Sequence, residues 1–275
     1  MPDEDTDDSV DGTNRPLWAE VAGEYAVEGW GDPGEPGALA LAADRSRGRP
    51  VLDLGVGGGR TTALLRLLSP DYVGLDYTPE LVELCRERHP DADIRLGDAR
   101  RLEGIDDGSV GLVFFSNNGI DAVDHDGRDR VLAEAHRVLC PGGVLCYSTL
   151  NKDGPLFGAH PGTAPGITWE IGSLRPVVTG DGDGGPPDDD GGMQAVRNWR
   201  RLRRQTRDEG EWGLAPFAAH RFGLLTHFVT LEGAARELDR HGFTLEAVVP
   251  CDRPTPLAPG EGTDAMYFHL VATRR

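Results

Sequence analysis

The chain has 275 residues, 38% of them hydrophobic, which suffices for one full core and a small appendage. No stretch reaches the roughly 18 apolar residues of a membrane span, and the first residues are acidic where a signal peptide would be basic, so the expectation is a cytoplasmic protein that does not enter a membrane. The formal net charge of −18 is concentrated: residues 3–11 and 181–190 hold eleven carboxylates, and the remaining 35 face 28 Lys and Arg, which argues against nucleic acid as the main partner.

Residues 1–14 have no apolar period and read as a disordered acidic tail, with packing expected from Trp18 onward. The chain then alternates: strand 51–54, helix 60–68, strand 72–75, helix 79–88, strands 93–96 and 110–115, helix 126–139, strand 143–149. In the helix near 126–139, Val131, Leu132, Ala135, Val138 and Leu139 share one face, and "CPGG" at 140–143 ends it. Residues 151–225 break the rhythm with many glycines and prolines, three tryptophans (Trp169, Trp199, Trp212) and an Arg cluster, and read as an insertion. A helix at 231–241 follows, capped by Thr230 and stopped by Gly242, and then strands at 243–250 and 265–274 whose short connection makes them an antiparallel hairpin. Strands alternating with helices imply an α/β fold, Rossmann-like and doubly wound, with a mostly parallel sheet.

The stretch "VLDLGVGGGR" at 51–60 lies between the first strand and its helix, where glycines let the backbone approach a ligand. Dinucleotides and S-adenosylmethionine both use such a corner. The dinucleotide fingerprint needs a glycine at position 60, which is Arg60, and Asp53 would repel a pyrophosphate. A ligand carrying an ammonium group would instead gain a charge-assisted hydrogen bond from Asp53.

Five segments in order resemble the class I S-adenosylmethionine-dependent methyltransferases, small-molecule type: "DLGVGGG", "VGLDYTPELVELCRER", "GDARRL", "VGLVFFSNNGID" and "HRVLCPGGVLCYST". The resemblance covers about residues 45–150 and the closing hairpin, and implies a seven-stranded sheet and S-adenosylmethionine as cofactor. It puts Asp53, Gly55, Gly57 and Gly59 in the glycine loop, Asp76 on the ribose hydroxyls and Tyr77 against adenine. Asp98, with the Ala99 backbone, would face the adenine amino group, and Asn117 the reactive end. Helix caps at Asp76 and Asp98, a surface aromatic at Tyr77 and a turn residue at Asn117 are the competing readings. Tyr25, with Trp18 and Trp30, lies where family members fold a flap over the cofactor.

Methyl transfer mainly needs alignment and exclusion of water, so a base is optional. The insertion leaves the fifth strand at the ligand face and reads as a substrate lid, about 151–225, between core segments 45–150 and 226–275. His220 and His227 are its candidate catalytic residues, ahead of His160 and His125. The Arg-rich "RNWRRLRRQTR" at 197–207 reads as a salt-paired face or a pocket for an anionic group, and "DGDGGPPDDDGG" at 181–192 as a disordered loop without flanking helices. Cys85, Cys140, Cys146 and Cys251 have no C-x-x-C spacing and read as reduced, structural thiols, and no cluster has metal-ligand spacing. The function expected is methyl transfer to a small molecule in specialised metabolism. An RNA or protein methyltransferase and a non-catalytic cofactor-binding regulator are the alternatives.

Overall fold

The computed structural model describes residues 9–27, 29–163, 167–170, 175–178 and 190–275. Helices α1 (Val10–Glu20) and α2 (Gly34–Ser46) precede β1 (Val51–Leu54). Alternation follows through α3 (Thr62–Leu68), β2 (Tyr72–Asp76), α4 (Pro79–Arg88), β3 (Asp93–Leu96), β4 (Val110–Phe115), α5 (His125–Val138) and β5 (Leu139–Leu150). Next come β6 (Ile167–Glu170), β7 (Arg175–Val178), α6 (Asp190–Leu202), β8 (Arg207–Asp208), β9 (Trp212–Phe217) and β10 (Leu224–Val229). The last elements are α7 (Leu231–Arg240), β11 (Phe243–Pro250) and β12 (Tyr267–Arg274).

Seven strands form one sheet in the order β11-β12-β5-β4-β1-β2-β3. The five from β5 to β3 pair in parallel, and β12 runs antiparallel to both β5 and β11. Central strands of a parallel sheet are covered on both faces, which is why VLDL and VGLVFF are buried throughout instead of alternating. One face packs on Val131, Leu132, Ala135 and Val138 of α5 and on Ala234 and Leu238 of α7. The other packs on Ala38, Leu39 and Ala42 of α2, Leu65 of α3, and Val82 and Cys85 of α4.

Local chemistry sets the element ends. Asp124 caps α5 by accepting from Gly127 N at 2.7 Å, Thr230 caps α7 by accepting from Gly233 N at 3.0 Å, and Pro79 opens α4. At Pro141 and Gly142 the β4–β5 register jumps, from Val110 opposite Leu139 to Leu112 opposite Val144, so the break after α5 is a kink within the strand run.

The N-terminal tail ends sooner than its charge suggests. Residues 1–8 lie outside the described residues, but residues 10–14 are helical and packed: Val10 is buried and Asn14 fully so. Asn14 Nδ2 donates to Ala122 O (2.9 Å) and Leu225 O (2.8 Å), while its Oδ1 accepts from Leu225 N (3.0 Å). Asp11 pairs with Arg100 at 2.7 Å, which offsets the charge that made the segment look unpackable. The insertion is also more regular than its composition suggests. It contains α6, the antiparallel pair β6–β7, and β8 and β9, which form a three-stranded antiparallel sheet with β10, so the expected boundary at 225 falls inside a strand that pairs with the insertion and runs on to Val229. The acidic stretch at 181–189 lies outside the described residues, and its last residues, Asp190 to Gly192, open α6, so a helix does flank it. The four thiols are free, with Cys140 only half-buried and the others buried. No helix among the described residues is long and apolar enough to cross a membrane.

Candidate active site

Strand order reverses at β1, and the carboxyl ends of β1, β2 and β4 part to leave a crevice. A cavity of about 360 Å³ fills it. Its floor is the glycine loop after β1, where Gly55 has φ +58°, and a β-carbon there would lie 2.6 Å from the Phe115 ring. The left-handed turn and the close approach both require glycine. Gly57 and Gly58 continue the wall, while a β-carbon on Gly59 would strike Cys85 of α4 and His89 just after it. Gly59 therefore serves loop packing and does not line the cavity, contrary to expectation.

Three carboxylates line the cavity, Glu24 at its mouth and Asp53 and Asp76 at the strand ends. Asp53 accepts from Tyr72 Oη (2.8 Å) and Thr61 Oγ1 (3.1 Å), both at Oδ2. Burial pushes its pKa up to about 7 against those hydrogen bonds. Asp76, at the end of β2, accepts from Gly57 N and Thr78 N, each at 2.9 Å, and burial raises its pKa too. It thus ties the glycine loop to β2 while facing the cavity. Tyr77 lies beside it, with the Arg15 guanidinium 4.6 Å from its ring centre. Asn117, left-handed at φ +52°, closes the β4 side.

Behind the loop, Arg60 forks onto Glu35 at 2.5 and 2.7 Å and donates to Ser116 Oγ at 3.1 Å, with Ser116 also bonded to Glu35. Burial opposes the Glu35 charge, yet Arg60 prevails and holds its carboxyl below the usual range. Arg60 is therefore a structural partner as well as the residue that breaks the dinucleotide pattern.

Trp18 and Tyr25 cover the cavity, whereas Trp30 packs against the core. A second, larger cleft of about 1250 Å³ adjoins it, and the two share Trp18, Glu24, Tyr25, Asn117, His220 and Tyr267. At that boundary Tyr25 Oη lies 3.0 Å from His220 Nε2, and His220 Nδ1 lies 3.6 Å from the Glu24 carboxylate. Burial holds His220 below its ordinary pKa, against the pull of Glu24, so its neutral form is favoured. Burial, then Glu24 and Asp76, raise the Tyr25 hydroxyl.

Several expected residues lie elsewhere. Asp98 is engaged by Arg100 (2.6 Å) and Arg15 (3.2 Å), and neither it nor Ala99, which packs against the core, lines the cavity. The arginines two residues away and on α1 take the carboxylate. His227 is fully buried in a ring stack with His125 and Trp212 and lines neither cleft. Its position in β10 turns it toward α5, and burial holds it well below its ordinary pKa. His125, His227 and Glu237 bring potential ligand atoms within 4.8 Å, but Glu237 already accepts from Arg128 Nε at 2.8 Å, and that guanidinium opposes a second cation there. His160 is exposed near Trp199, and the Trp169 side chain lies outside the described residues.

Residues 51–143 match the family model of the methyltransferase domain. The stretch from β1 into β5 is thus similar to a methyltransferase domain. Over 111 residues it is 35% identical to a probable S-adenosylmethionine-dependent methyltransferase of Mycolicibacterium smegmatis, covering 40% of this chain and 41% of that protein. Over 126 residues it is 36% identical to the malonyl-[acyl-carrier protein] O-methyltransferase of Methylococcus capsulatus, covering 43% and 44%. The chain thus matches about two fifths of the length of these curated relatives. A solved S-adenosylmethionine-dependent methyltransferase of Mesorhizobium loti superposes with a TM-score of 0.56 at 19% identity, over 87% of this chain and 96% of that one. The fold is that of the class I methyltransferases.

The matched methyltransferase domain holds the glycine loop, Asp76 and Asn117, while Tyr25 and His220 lie outside it on either side. Sequence reasoning found these but missed Glu24, Arg60 with Glu35, and Thr61 with Tyr72. Only Arg60 had a local signal, standing where the glycine pattern ends.

Proposed function

We propose that this protein transfers the methyl group of S-adenosylmethionine to a small-molecule acceptor. The observation that carries the reading is the pair of clefts meeting at Tyr25, Asn117 and His220. The smaller cleft fits the cofactor: glycine backbone forms a bare wall, and a β-carbon on Gly57 would meet nothing nearer than 3.9 Å. Asp53 Oδ1 takes no hydrogen bond from the described residues and suits an ammonium group, and Asp76 keeps lone pairs for ribose hydroxyls. Tyr77 offers a flat face to adenine. When bound, the cofactor supplies a methyl group already made electrophilic by its sulfonium.

The chain's own residues then have three tasks. Tyr25 and Trp18 exclude water above the cofactor cleft, and Asn117 borders the point where acceptor and cofactor meet. His220, neutral and backed by Glu24, takes the acceptor's proton at Nε2 once that proton replaces the Tyr25 hydroxyl as its partner. The insertion, about 151–225, acts as acceptor lid, since α6, the end of β9 and the turn at 219–222 wall the larger cleft. A concave cleft suits a small molecule, and both curated relatives above are named as methyltransferases. No metal takes part, and a cytoplasmic location fits four unpaired thiols.

Calorimetry with S-adenosylmethionine and S-adenosylhomocysteine, followed by transfer of a labelled methyl group into metabolite pools read by mass spectrometry, tests the reading. Binding of both cofactor forms and a labelled small product that survives chelator are expected. Absence of cofactor binding overturns it, and binding without product with any acceptor favours a regulator.

A further inference from the structure

The larger cleft has a charged wall that methyl transfer itself does not require. Along α6, Gln194, Arg197, Asn198 and Arg201 recur at the spacing of one helix face, and all four line the cleft. Arg221 joins them from the turn before β10. All three arginines are exposed, and none has an ion-pair partner among the described residues, whereas Arg15, Arg60, Arg100, Arg128 and Arg137 each do. Leu17, Leu156, Phe217, Leu224 and Met266 give the same cleft apolar walls, and Glu20 and Glu24 add negative charge from the N-terminal segment, so the positive side of the cleft is that of α6 and Arg221.

The turn carrying Arg221 is held against its own preference. His220, Arg221 and Phe222 all have left-handed φ, +48°, +55° and +58°, without a glycine among them. Such conformations are unfavourable for residues with a β-carbon and persist only where surroundings fix them. Here Asn198 Nδ2 donates to Arg221 O at 3.0 Å, and the Phe222 ring is buried beneath. One strained turn thus sets both His220 at the junction of the clefts and Arg221 in the larger one.

From this arrangement we infer that the acceptor is an amphipathic anion: an apolar body lies along the cleft, and a carboxylate or phosphate group is gripped by Arg197, Arg201 and Arg221. The inference deepens the methyltransferase reading and rests on it for the word acceptor. Guanidinium groups fork onto planar carboxylate and onto phosphate oxygens, and three unpaired ones in one cleft repel each other until an anion arrives. Arg200, Arg203, Arg204 and Arg207 on the adjoining stretch also lack ion-pair partners among the described residues, but none of them lines this cleft, so its anion contacts rest on Arg197, Arg201 and Arg221.

The test is calorimetric titration of the full chain with decanoate, decyl phosphate and the neutral 1-decanol, alone and with S-adenosylhomocysteine present. At least one anion should bind about tenfold or more tightly than decanol, the difference of one charged hydrogen bond, and the stronger of the two identifies the headgroup. In the R197Q/R201Q/R221Q variant that contrast should vanish while S-adenosylhomocysteine binds as before, which also shows that the variant folds. Equal binding of decanol and both anions, or an undiminished contrast in the variant, overturns the inference. Failure of S-adenosylhomocysteine to bind the wild type, with the anion contrast intact, would strike the methyltransferase reading and leave the anion site standing.

Discussion

Tyr25 and His220, separated by 195 positions in the chain, share a 3.0 Å hydrogen bond over the boundary between the two clefts. Trp18 packs edge-on against both rings at 5.8 and 5.7 Å, so the N-terminal segment and the lid close on one another at this point. The contact makes closure of the cofactor cleft depend on the acceptor side, because whatever displaces Tyr25 from His220 also frees the imidazole.

Replacing His220 by Gln should lower turnover by about 10²–10⁴, the usual range for a positioned base, while cofactor affinity changes little. The pH–rate profile should lose its acid limb, which in the wild type lies below the ordinary histidine value because burial favours the neutral ring. His227→Gln should behave oppositely. Its ring is sealed between His125 and Trp212, so unfolding by denaturant should show lost stability while turnover per folded molecule is kept. Equal kinetic effects of the two variants would reject the assignment of His220.

Asp76→Ala should weaken S-adenosylmethionine by about 2–4 kcal/mol, the value of two charged hydrogen bonds less their replacement by water. Part of the loss will come from the loop, since the carboxylate also holds Gly57 N and Thr78 N. Asp76→Asn keeps one acceptor and should fall between. Unchanged affinity in calorimetry for the alanine variant would remove Asp76 from the cofactor site.

The contrast between Asp76 and Asp98 shows what a sequence can reveal. Strand, glycine loop and carboxylate recur at fixed spacing along one βαβ unit, so Asp53, Gly55 and Asp76 are legible from local order. Asp98 has the same local signature, but Arg15, 83 positions away on a helix hidden by its acidic composition, engages it. The seven-stranded sheet was legible for the same reason as Asp76: periodicity switches at every element end. Residues 207–229 were not, because β8, β9 and β10 follow one another without an α-helix whose period would mark the strand ends, and only their mutual pairing makes them a sheet. Likewise, no spacing foretells that Tyr25 meets His220.

Binding of S-adenosylmethionine should depend on pH through Asp53. Its pKa in the free protein is raised to about 7, and an ammonium partner favours the ionised form, so binding expels a proton below that value. Between about pH 7 and 5.5, where the ligand's amino group stays charged, affinity should fall toward tenfold per pH unit, with proton release seen as heat that varies with buffer. Asp53→Asn should flatten the slope. A wild-type affinity independent of pH across that window would refute an ammonium at Asp53.

The last prediction concerns Arg60 and Glu35, the buried fork beneath the glycine loop. Glu35 is fully buried and Arg60 nearly so, at 13% side-chain exposure, so Arg60→Ala strands a carboxylate without its counter-charge. Breaking one side of such a pair typically costs about 3–5 kcal/mol, with the lower end expected because Arg60 touches the cavity and its water. Arg60→Lys should recover part of this at most, since an ammonium cannot fork onto both oxygens while reaching Ser116. The pH dependence separates this account from simple loss of packing. In the wild type the Glu35 pKa is held below its unfolded value, so its stabilising contribution is present above that value and is lost as pH falls through the folded one. In Arg60→Ala burial acts unopposed by the guanidinium, the pKa rises above the unfolded value, and protonation now favours the folded state. The stability gap between wild type and variant, measured by urea unfolding, should therefore narrow as pH is lowered from neutral toward 4. A gap that stays constant over that range would mean that Arg60 contributes packing alone.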